Sequence, residues 1–298
     1  MSILLSRPPS MSPRHIFAEG DKPFTGLSRA TAVAAFFLLF AGGMVTSTGS
    51  GLAVPDWPLS FGGINPPMIG GIFFEHGHRL IAGCVALMTL GCLLLSRRPA
   101  VPSAARSAAN LAALGILLQA CLGGLTVLLK LPPSVSISHA CLGQAVFCTL
   151  CSAAILSVPV STFGPGYSRV FRFSVLGFCA AYLQLALGAL VRHTGSGLRW
   201  HILWASTVLV LWALATFTAW RSRAPLLRIP SLILAVAVPI QLALGLFALR
   251  VRVDSSLILG FRESAVWRTL HLSGGALVLA SFLLLALKSR RTAAPVPA

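Results

Sequence analysis

Eight apolar segments, each close to the thickness of a bilayer, constrain this 298-residue chain more than any other feature. About 20 residues of α-helix cross the hydrocarbon core of a membrane. The chain is 56% hydrophobic and only 10% charged, a composition typical of integral membrane proteins. We therefore predict an all-α integral membrane protein with eight transmembrane helices. The segments cover approximately residues 30–47, 75–95, 108–129, 138–158, 172–191, 200–220, 230–249 and 266–287.

The distribution of basic residues predicts the orientation. The chain has 23 Lys and Arg against six Asp and Glu, a net charge of +17. Most of the basic residues lie in the two tails and in the loops after the second, fourth and sixth segments. Because Lys and Arg concentrate on the cytoplasmic side of membrane proteins, we expect both termini in the cytoplasm. The charge then indicates an inner-membrane protein that contacts lipid, not a nucleic-acid-binding protein.

The sequence also repeats a unit of four segments. Residues 48–51 after the first segment and residues 194–197 after the fifth both read Thr-Gly-Ser-Gly. The third segment has Gln119 four residues before a glycine, and the seventh has Gln241 in the same relation. We therefore predict two tandem four-helix bundles between two cytoplasmic tails. The predicted boundaries are 1–28 for the first tail, 29–160 and 161–288 for the bundles, and 289–298 for the second tail.

Each even-numbered segment carries one histidine near its outer end. The four are His78, His139, His201 and His271. Four positions further along, on the same helix face, each is followed by a small residue, which we expect to make room for a flat macrocycle. These small residues are Ala82, Gly143, Ala205 and Gly275.

The number of histidines per bundle indicates the kind of metal site. Zinc needs three or four ligands that converge on one point. Two histidines in each four-helix unit suit the two axial positions of a haem iron instead. We predict that His78 pairs with His139 and that His201 pairs with His271.

A group of ionisable residues surrounds the first of these histidines. Glu75 lies three residues before His78, so the two share a helix face. Ionisable groups in a membrane segment are costly unless they have a partner or a function. We expect Glu75 to transfer protons beside the iron, or to stabilise positive charge that develops on a substrate carbon. Arg79 pairs either with Glu75 or with a haem propionate, and both alternatives remain open. By position, the propionate candidates in the second half are Arg192, Arg199 and Arg268.

Other candidate residues have simpler interpretations. His76 lies on a different face from His78 and is expected to be a bystander, whereas His193 has either a structural or a propionate-binding role. The Cys148-x-x-Cys151 pair lies inside an apolar segment, so we expect small buried side chains and no redox site. No disulfide is expected.

Several motifs resemble the haem A synthase family. They are residues 48–53, the sequence Pro-Asp-Trp-Pro-Leu at 55–59, and Glu-His-Gly-His-Arg at 75–79. Residues 138–144 and 270–275 extend the resemblance, which covers 29–287. It implies an eight-helix oxidoreductase with two four-helix halves. The family oxidises the C8 methyl group of haem O to a formyl group, which gives haem A for cytochrome oxidase.

The resemblance also implies roles for the candidate residues. His78 and His139 would flank the substrate haem, with Glu75 catalytic, and His201 and His271 would ligate a haem b cofactor. Many family members have a cysteine pair where this chain has Val54 and Ser60. A loop disulfide is therefore not expected, and a thiol-dependent step would lack its cysteines. Haem O is then the substrate, and a haem O synthase and a membrane electron donor are expected partners.

Two other functional classes are alternatives to this enzyme. A di-haem b-type electron-transfer protein without substrate chemistry would need the four histidines but not Glu75. A transporter would use polar groups near the middle of the membrane, where this chain offers three uncharged glutamines, Gln119, Gln144 and Gln241.

The two halves differ in what precedes their first histidine. A long outer segment separates Leu52 from His78, whereas only two residues separate Leu198 from His201. Leu198 stands three residues before His201, where Glu75 stands before His78. Long loops often carry binding or catalytic functions. We therefore predict that the first half oxidises substrate haem and that the second half retains haem b.

Overall fold

The computed structural model describes residues 20–158, 167–253 and 261–291. Within these ranges the chain forms eight α-helices and no strand. All eight are long and apolar enough to cross a membrane, which confirms the predicted all-helical membrane fold. The helices are α1 (Lys22–Ser47), α2 (Gly70–Leu95), α3 (Ser103–Leu128), α4 (Pro133–Leu156), α5 (Ser168–Thr194), α6 (Leu198–Arg221), α7 (Pro225–Val253) and α8 (Phe261–Arg291).

Helix α1 begins earlier than the sequence predicted. The Asp21 side chain accepts a hydrogen bond of 3.0 Å from the N–H of Phe24, and Pro23 lies in the first turn. An acidic N-cap followed by proline favours a helix start at this position. Residues 22–28 therefore belong to α1 and not to the predicted tail. At the other end α8 continues to Arg291, beyond the predicted boundary at 289; the remaining parts of both tails lie outside the described residues.

Helix α2 also begins earlier, at Gly70 instead of residue 75. The apolar residues 72–74 extend the helix toward the loop between α1 and α2. The predicted topology places this loop outside the cell, and it is therefore named the outer loop. The first turn of α2 comes directly after it. Glu75 and His78 consequently lie more than one turn inside the helix. Their side chains are surrounded by neighbouring helices as well as by the loop.

The repeated Thr-Gly-Ser-Gly motif forms the same turn at the ends of α1 and α5. The hydroxyl groups of Thr48 and Ser50 lie 2.7 Å apart, and those of Thr194 and Ser196 lie 2.6 Å apart. After α5 the turn contains Gly195 and Gly197 with φ of 76° and 83°, values that glycine adopts without a steric penalty. The motif therefore ends both helices. After α1 it leads into the long loop before α2, and after α5 it leads directly into α6.

Helix contacts follow the repeat, and they also join the two sets of four. In the first set α1 packs against α2 and α4, and α3 packs against α4. In the second set α5 packs against α6 and α8, and α7 packs against α8. Helices α1 and α4 both contact α8, and α4 contacts α5. The division into two separate bundles remains a prediction.

The predicted topology can be tested by labelling engineered cysteines with a membrane-impermeant maleimide. Ile64, which is 81% exposed in the α1–α2 loop, and Ala100, exposed in the α2–α3 loop, provide one site on each side. Intact cells should label Ile64→Cys and not Ala100→Cys, because the basic loops are expected to face the cytoplasm. The wild-type chain gives the background from its own cysteines. Labelling of Ala100→Cys from outside would reverse the orientation.

Candidate functional site

The four histidines of the even-numbered helices all pack in the same way, each against a glycine. Each ring lies against a glycine of the preceding odd helix, so close that a Cβ atom on the glycine would force the ring to move. An ideal Cβ would lie 3.0, 3.2, 3.1 and 2.8 Å from the ring atom Cε1 of His78, His139, His201 and His271. The corresponding glycines are Gly42, Gly123, Gly188 and Gly245.

The second pair of histidines has a geometry that fits two ligands of one metal ion. The ring centroids of His201 and His271 are 6.2 Å apart, and their planes are nearly perpendicular at 85°. Since a bond between a metal and an imidazole nitrogen is about 2 Å, two imidazoles that flank one metal ion have centroids roughly 6 Å apart. No group of three or more His, Cys, Asp and Glu side chains forms a metal site in the described ranges. The donor set therefore suits a haem iron better than zinc.

The first pair lies near the boundary between the two sets of helices. His78 on α2 and His139 on α4 lie within electrostatic range of each other. His193 of α5 in turn interacts with His139. His193 thus approaches the first pair although it belongs to the second half of the sequence.

Three of the four histidines also contact a glutamine. Each glutamine lies four residues before the glycine that contacts the same histidine ring. The three glutamines are Gln119, Gln184 and Gln241. In each case the side-chain amide nitrogen donates a hydrogen bond of 2.9 Å to the backbone carbonyl of the histidine. The same nitrogen lies 3.4, 3.4 and 3.1 Å from a ring nitrogen of that histidine. On α1 the equivalent position, four residues before Gly42, is Leu38.

The glutamines change the interpretation of the small residues that follow two of the histidines. Gly143 and Gly275 were expected to leave room for a macrocycle. Instead, a Cβ on Gly143 would lie 3.0 Å from Nε2 of Gln119, and one on Gly275 would lie 3.4 Å from Nε2 of Gln241. These glycines therefore accommodate the glutamine side chains.

Glu75 is a buried carboxylate with partners on both oxygens. It is 4% exposed. Its Oε1 lies 2.8 Å from Nη2 of Arg79, and its Oε2 accepts a hydrogen bond of 2.9 Å from the N–H of Val54. Among the described residues it is the only acid buried within a helix. The carboxylate is thus held in one orientation on the helix face that it shares with His78.

Arg79 connects Glu75 to the outer loop. Its Nη1 donates to the carbonyls of Asp56 and Leu59, both at 2.8 Å, and its Nη2 donates to the carbonyl of Val54 at 3.2 Å. Of the two alternatives for Arg79, pairing with Glu75 is confirmed. A propionate contact remains a prediction.

The other candidate arginines make different contacts. The guanidinium of Arg199 lies over the ring of Trp200, 5.0 Å from its centroid. Arg268 donates to the carbonyl of Ser47 at 3.1 Å. Arg192 donates to the carbonyl of Gly43 at 2.7 Å and to the hydroxyl of Ser47 at 2.6 Å. Arg192 and Arg268 therefore meet at the outer end of α1, and their roles toward propionates remain predictions.

The outer loop between α1 and α2 is attached to the helices at further points. The ring of Trp57 lies against Gly124 of α3, where a Cβ would be 2.8 Å from the indole. His76 is 6% exposed, and its Nδ1 lies 2.8 Å from the hydroxyl of Ser60. His76, expected to be a bystander, therefore fastens the loop. Val54 and Ser60 of this loop contact Glu75 and His76 respectively.

The tip of this loop is stabilised by Asp56. Its carboxylate accepts hydrogen bonds of 2.8 Å from the N–H groups of Phe61 and Gly62. The hydrogen bonds from Gly62 and Phe61 hold the pKa of Asp56 below its ordinary value of 3.8. The carboxylate is therefore ionised at neutral pH, and the turn keeps both hydrogen bonds.

Comparisons with known proteins place this site in a family context. Residues 69–201 match the model of a family described as cytochrome oxidase assembly protein. A Heme A synthase of Bacillus licheniformis is 25% identical over 185 residues, which are 60% of this chain and 61% of that protein. A Heme A synthase of Geobacillus thermodenitrificans is 31% identical over 182 residues, 56% of each chain. The chain thus matches about three fifths of the length of these relatives.

A relative with a different name matches a shorter part of the chain. A protein of Haloarcula marismortui named Protoheme IX farnesyltransferase is 29% identical over 127 residues, which are 43% of this chain and 27% of that protein. Most of that protein therefore lies outside the similarity. The family match contains Glu75, His78, His139 and His201, and it ends before His271.

The contacts of Arg79 predict that Arg79→Met will release the outer loop. The change removes hydrogen bonds to three loop carbonyls and leaves Glu75 without its ionic partner. A hydrogen bond to a charged group contributes roughly 1.5–3 kcal/mol, so amide hydrogen exchange in residues 54–62 should accelerate about tenfold or more. Arg199→Met, at a side chain without contacts to this loop, is the matched control. Equal exchange in both variants would contradict the proposed attachment.

Proposed function

We propose that this relative of the haem A synthases oxidises the C8 methyl group of haem O to a formyl group and so supplies haem A for cytochrome oxidase. The family match and the relatives named Heme A synthase support this activity. The described residues form eight helices that can span a bilayer, which suits an enzyme that acts on an apolar substrate in the membrane.

The buried carboxylate of Glu75 is the observation that carries this proposal. It lies three residues before His78 and within the matched segment, held by Arg79 and by the N–H of Val54. A protein that only transfers electrons between haems has no use for such a group. A buried charge is costly to the fold, so its presence beside a candidate iron ligand supports a chemical role.

The first pair of histidines would hold the substrate. His78 and His139 would hold the iron of haem O. Removing hydrogen from an unactivated methyl carbon requires a redox metal centre, which bound haem iron would supply, and an oxidant that comes from outside the protein. The protein's own contribution is to position the methyl group, to exclude water with the outer loop, and to transfer protons through Glu75.

Arg79 would orient Glu75 for that role. By binding Oε1, it directs the carboxylate and leaves the weaker contact, from Val54 to Oε2, as the one that can be exchanged. Glu75 then either accepts a proton or stabilises positive charge on the substrate carbon. Both possibilities need the carboxylate in its charged form and in a fixed orientation.

The second pair would hold haem b as a permanent cofactor. His201 and His271 have the spacing of two imidazoles on one metal ion. The connection between α5 and α6 is only three residues long, 195–197, and Leu198 stands where the first half has Glu75. Such a site lacks both a loop that could open and a group that could transfer protons. It would pass electrons to or from the substrate site.

Location and partners follow from the same proposal. We place the chain in the cell membrane with both termini in the cytoplasm and the four histidines near the outer face. The Haloarcula protein is named a protoheme IX farnesyltransferase, and part of it is similar to this chain. This supports a haem O synthase as the partner that delivers substrate. A membrane electron donor would complete the reaction.

The activity is tested by coexpression with a haem O synthase, followed by extraction and chromatography of the bound haems. The wild-type chain should yield haem A. Glu75→Gln keeps the shape of the side chain but removes its charge, so haem A should fall about 100-fold or more while haem O stays bound. Glu263→Gln, at an exposed acid of α8, is the control and should keep full activity.

The same experiment separates the proposed enzyme from a di-haem electron carrier. A carrier would bind haem and yield no haem A from the wild-type chain. If Glu75→Gln formed haem A at the wild-type level, Glu75 would be a structural residue and the catalytic assignment would be wrong.

The division of labour between the halves predicts different effects of two further variants. His271→Ala should remove the low-spin haem b spectrum, because it deletes one of that cofactor's two ligands. Glu75→Gln should leave the spectrum intact. If the haem b spectrum disappeared in His139→Ala and persisted in His271→Ala, the two halves would have the opposite roles.

A further inference from the structure

Three of the four histidines have a glutamine four residues before the glycine that contacts their ring. For His78 this position is Leu38. It stands four residues before Gly42 and ten before Thr48. Gln184 has the same spacing to Gly188 and to Thr194 in the second half. Leu38 and Gln184 are therefore equivalent positions in the repeat, and the difference between them is a change of residue without a change of register.

The glutamines restrain their histidines by hydrogen bonds, and a histidine with such a partner is called braced. Each amide nitrogen bonds the histidine's backbone carbonyl at 2.9 Å and touches its ring. A hydrogen bond inside a membrane helix bundle is not weakened by competing water. The bond to the backbone carbonyl fixes the point from which the imidazole projects, and so restrains the orientation of a metal-binding histidine. Leucine has no donor and cannot replace this contact.

His78 is accordingly less restrained than the other three. The backbone carbonyl of Leu38 faces its ring, but Nδ1 is buried and makes no hydrogen bond of ordinary geometry. His139, across the same site, also has an unbonded Nδ1, but Gln119 holds its backbone and contacts its ring. The first pair thus combines a braced histidine with an unbraced one, whereas both members of the second pair are braced.

This asymmetry matches what the two sites must do. A substrate haem has to enter and its product has to leave, so both bonds between iron and histidine must break in every cycle, one before the other. A permanent haem b needs two bonds that persist. The unbraced histidine also lies on the same helix face as Glu75, beside the proposed reaction.

We propose that His78 is the first ligand to release the iron, because Leu38 cannot donate the hydrogen bond that a glutamine donates. Gln119, Gln184 and Gln241 are then positioning residues that slow release by the other three histidines. This inference rests on the proposed function. The alternative is that Leu38 only fills apolar space, since it packs in the cluster that includes Ala35 and Val85.

Leu38→Gln supplies the missing donor, and Leu38→Met is the matched variant of similar size without one. Each is purified with its haems, reduced, and mixed with carbon monoxide, which binds iron only where a ligand has left. One added hydrogen bond should slow binding at the substrate site by about threefold to tenfold in Leu38→Gln. Leu38→Met should bind at the wild-type rate. Transfer of haem to apomyoglobin should slow in the same variant by a similar factor.

The reverse change tests the braces. Gln241→Leu should make the haem b site reactive toward carbon monoxide and accelerate its loss of haem. Gln144→Leu removes a buried glutamine of α4 that bonds no histidine in the described part of the chain, and it should change neither rate. Gln119→Leu should accelerate haem transfer from the substrate site.

Equal carbon monoxide binding and haem transfer in Leu38→Gln and Leu38→Met would overturn the inference, even if the wild-type chain makes haem A. Lack of haem A from the wild-type chain would instead overturn the proposed function. The two failures are therefore distinguishable, because the ligand-exchange rates are measured on bound haem and do not depend on product formation.

Discussion

Close contact between an imidazole ring and a glycine backbone determines how the helices of this protein pair. In a membrane, helices gain little from the hydrophobic effect on one another, and small residues allow their backbones to approach. Here the same contact joins α1 to α2, α3 to α4, α5 to α6 and α7 to α8, with a ring at each junction. A side chain at any of the four glycines would displace the ring that the site depends on. The packing that builds the bundle is therefore the packing that positions the candidate iron ligands.

The outer loop adds to the first half what the second half lacks. Arg79 binds three carbonyls of the loop and one oxygen of Glu75, so the loop and the carboxylate are parts of one network. Trp57 on Gly124 and Ser60 on His76 attach the same loop to α3 and α2. A substrate that enters here has to cross this network, which also surrounds the buried acid. In the second half a three-residue turn closes the equivalent side.

Hydropathy and spacing were sufficient to predict eight helices, their repeat and the four histidines, because these depend on periodicity along one chain. The contacts that organise the site join segments distant in sequence and depend on helix rotation. In the sequence Gln119 and Gln241 stand out as markers of the repeat and as polar groups near mid-membrane, but not as partners of histidines. Gln184 does not stand out at all, although the same four-residue spacing to a glycine is present in α5. The contact of His76 with Ser60 and the early starts of α1 and α2 were missed for similar reasons, since a loop's path and a helix cap are decided by local geometry.

The central claim is that the four histidines packed against glycines hold two haems, one of them beside Glu75. An experimental map of the purified full-length protein, coexpressed with a haem O synthase, tests this most directly. The account predicts two flat densities, one between His78 and His139 and one between His201 and His271, with the edge of the first facing Glu75. Density for one haem that joins a histidine of α2 to a histidine of α8, or histidines that bind no haem, would contradict it.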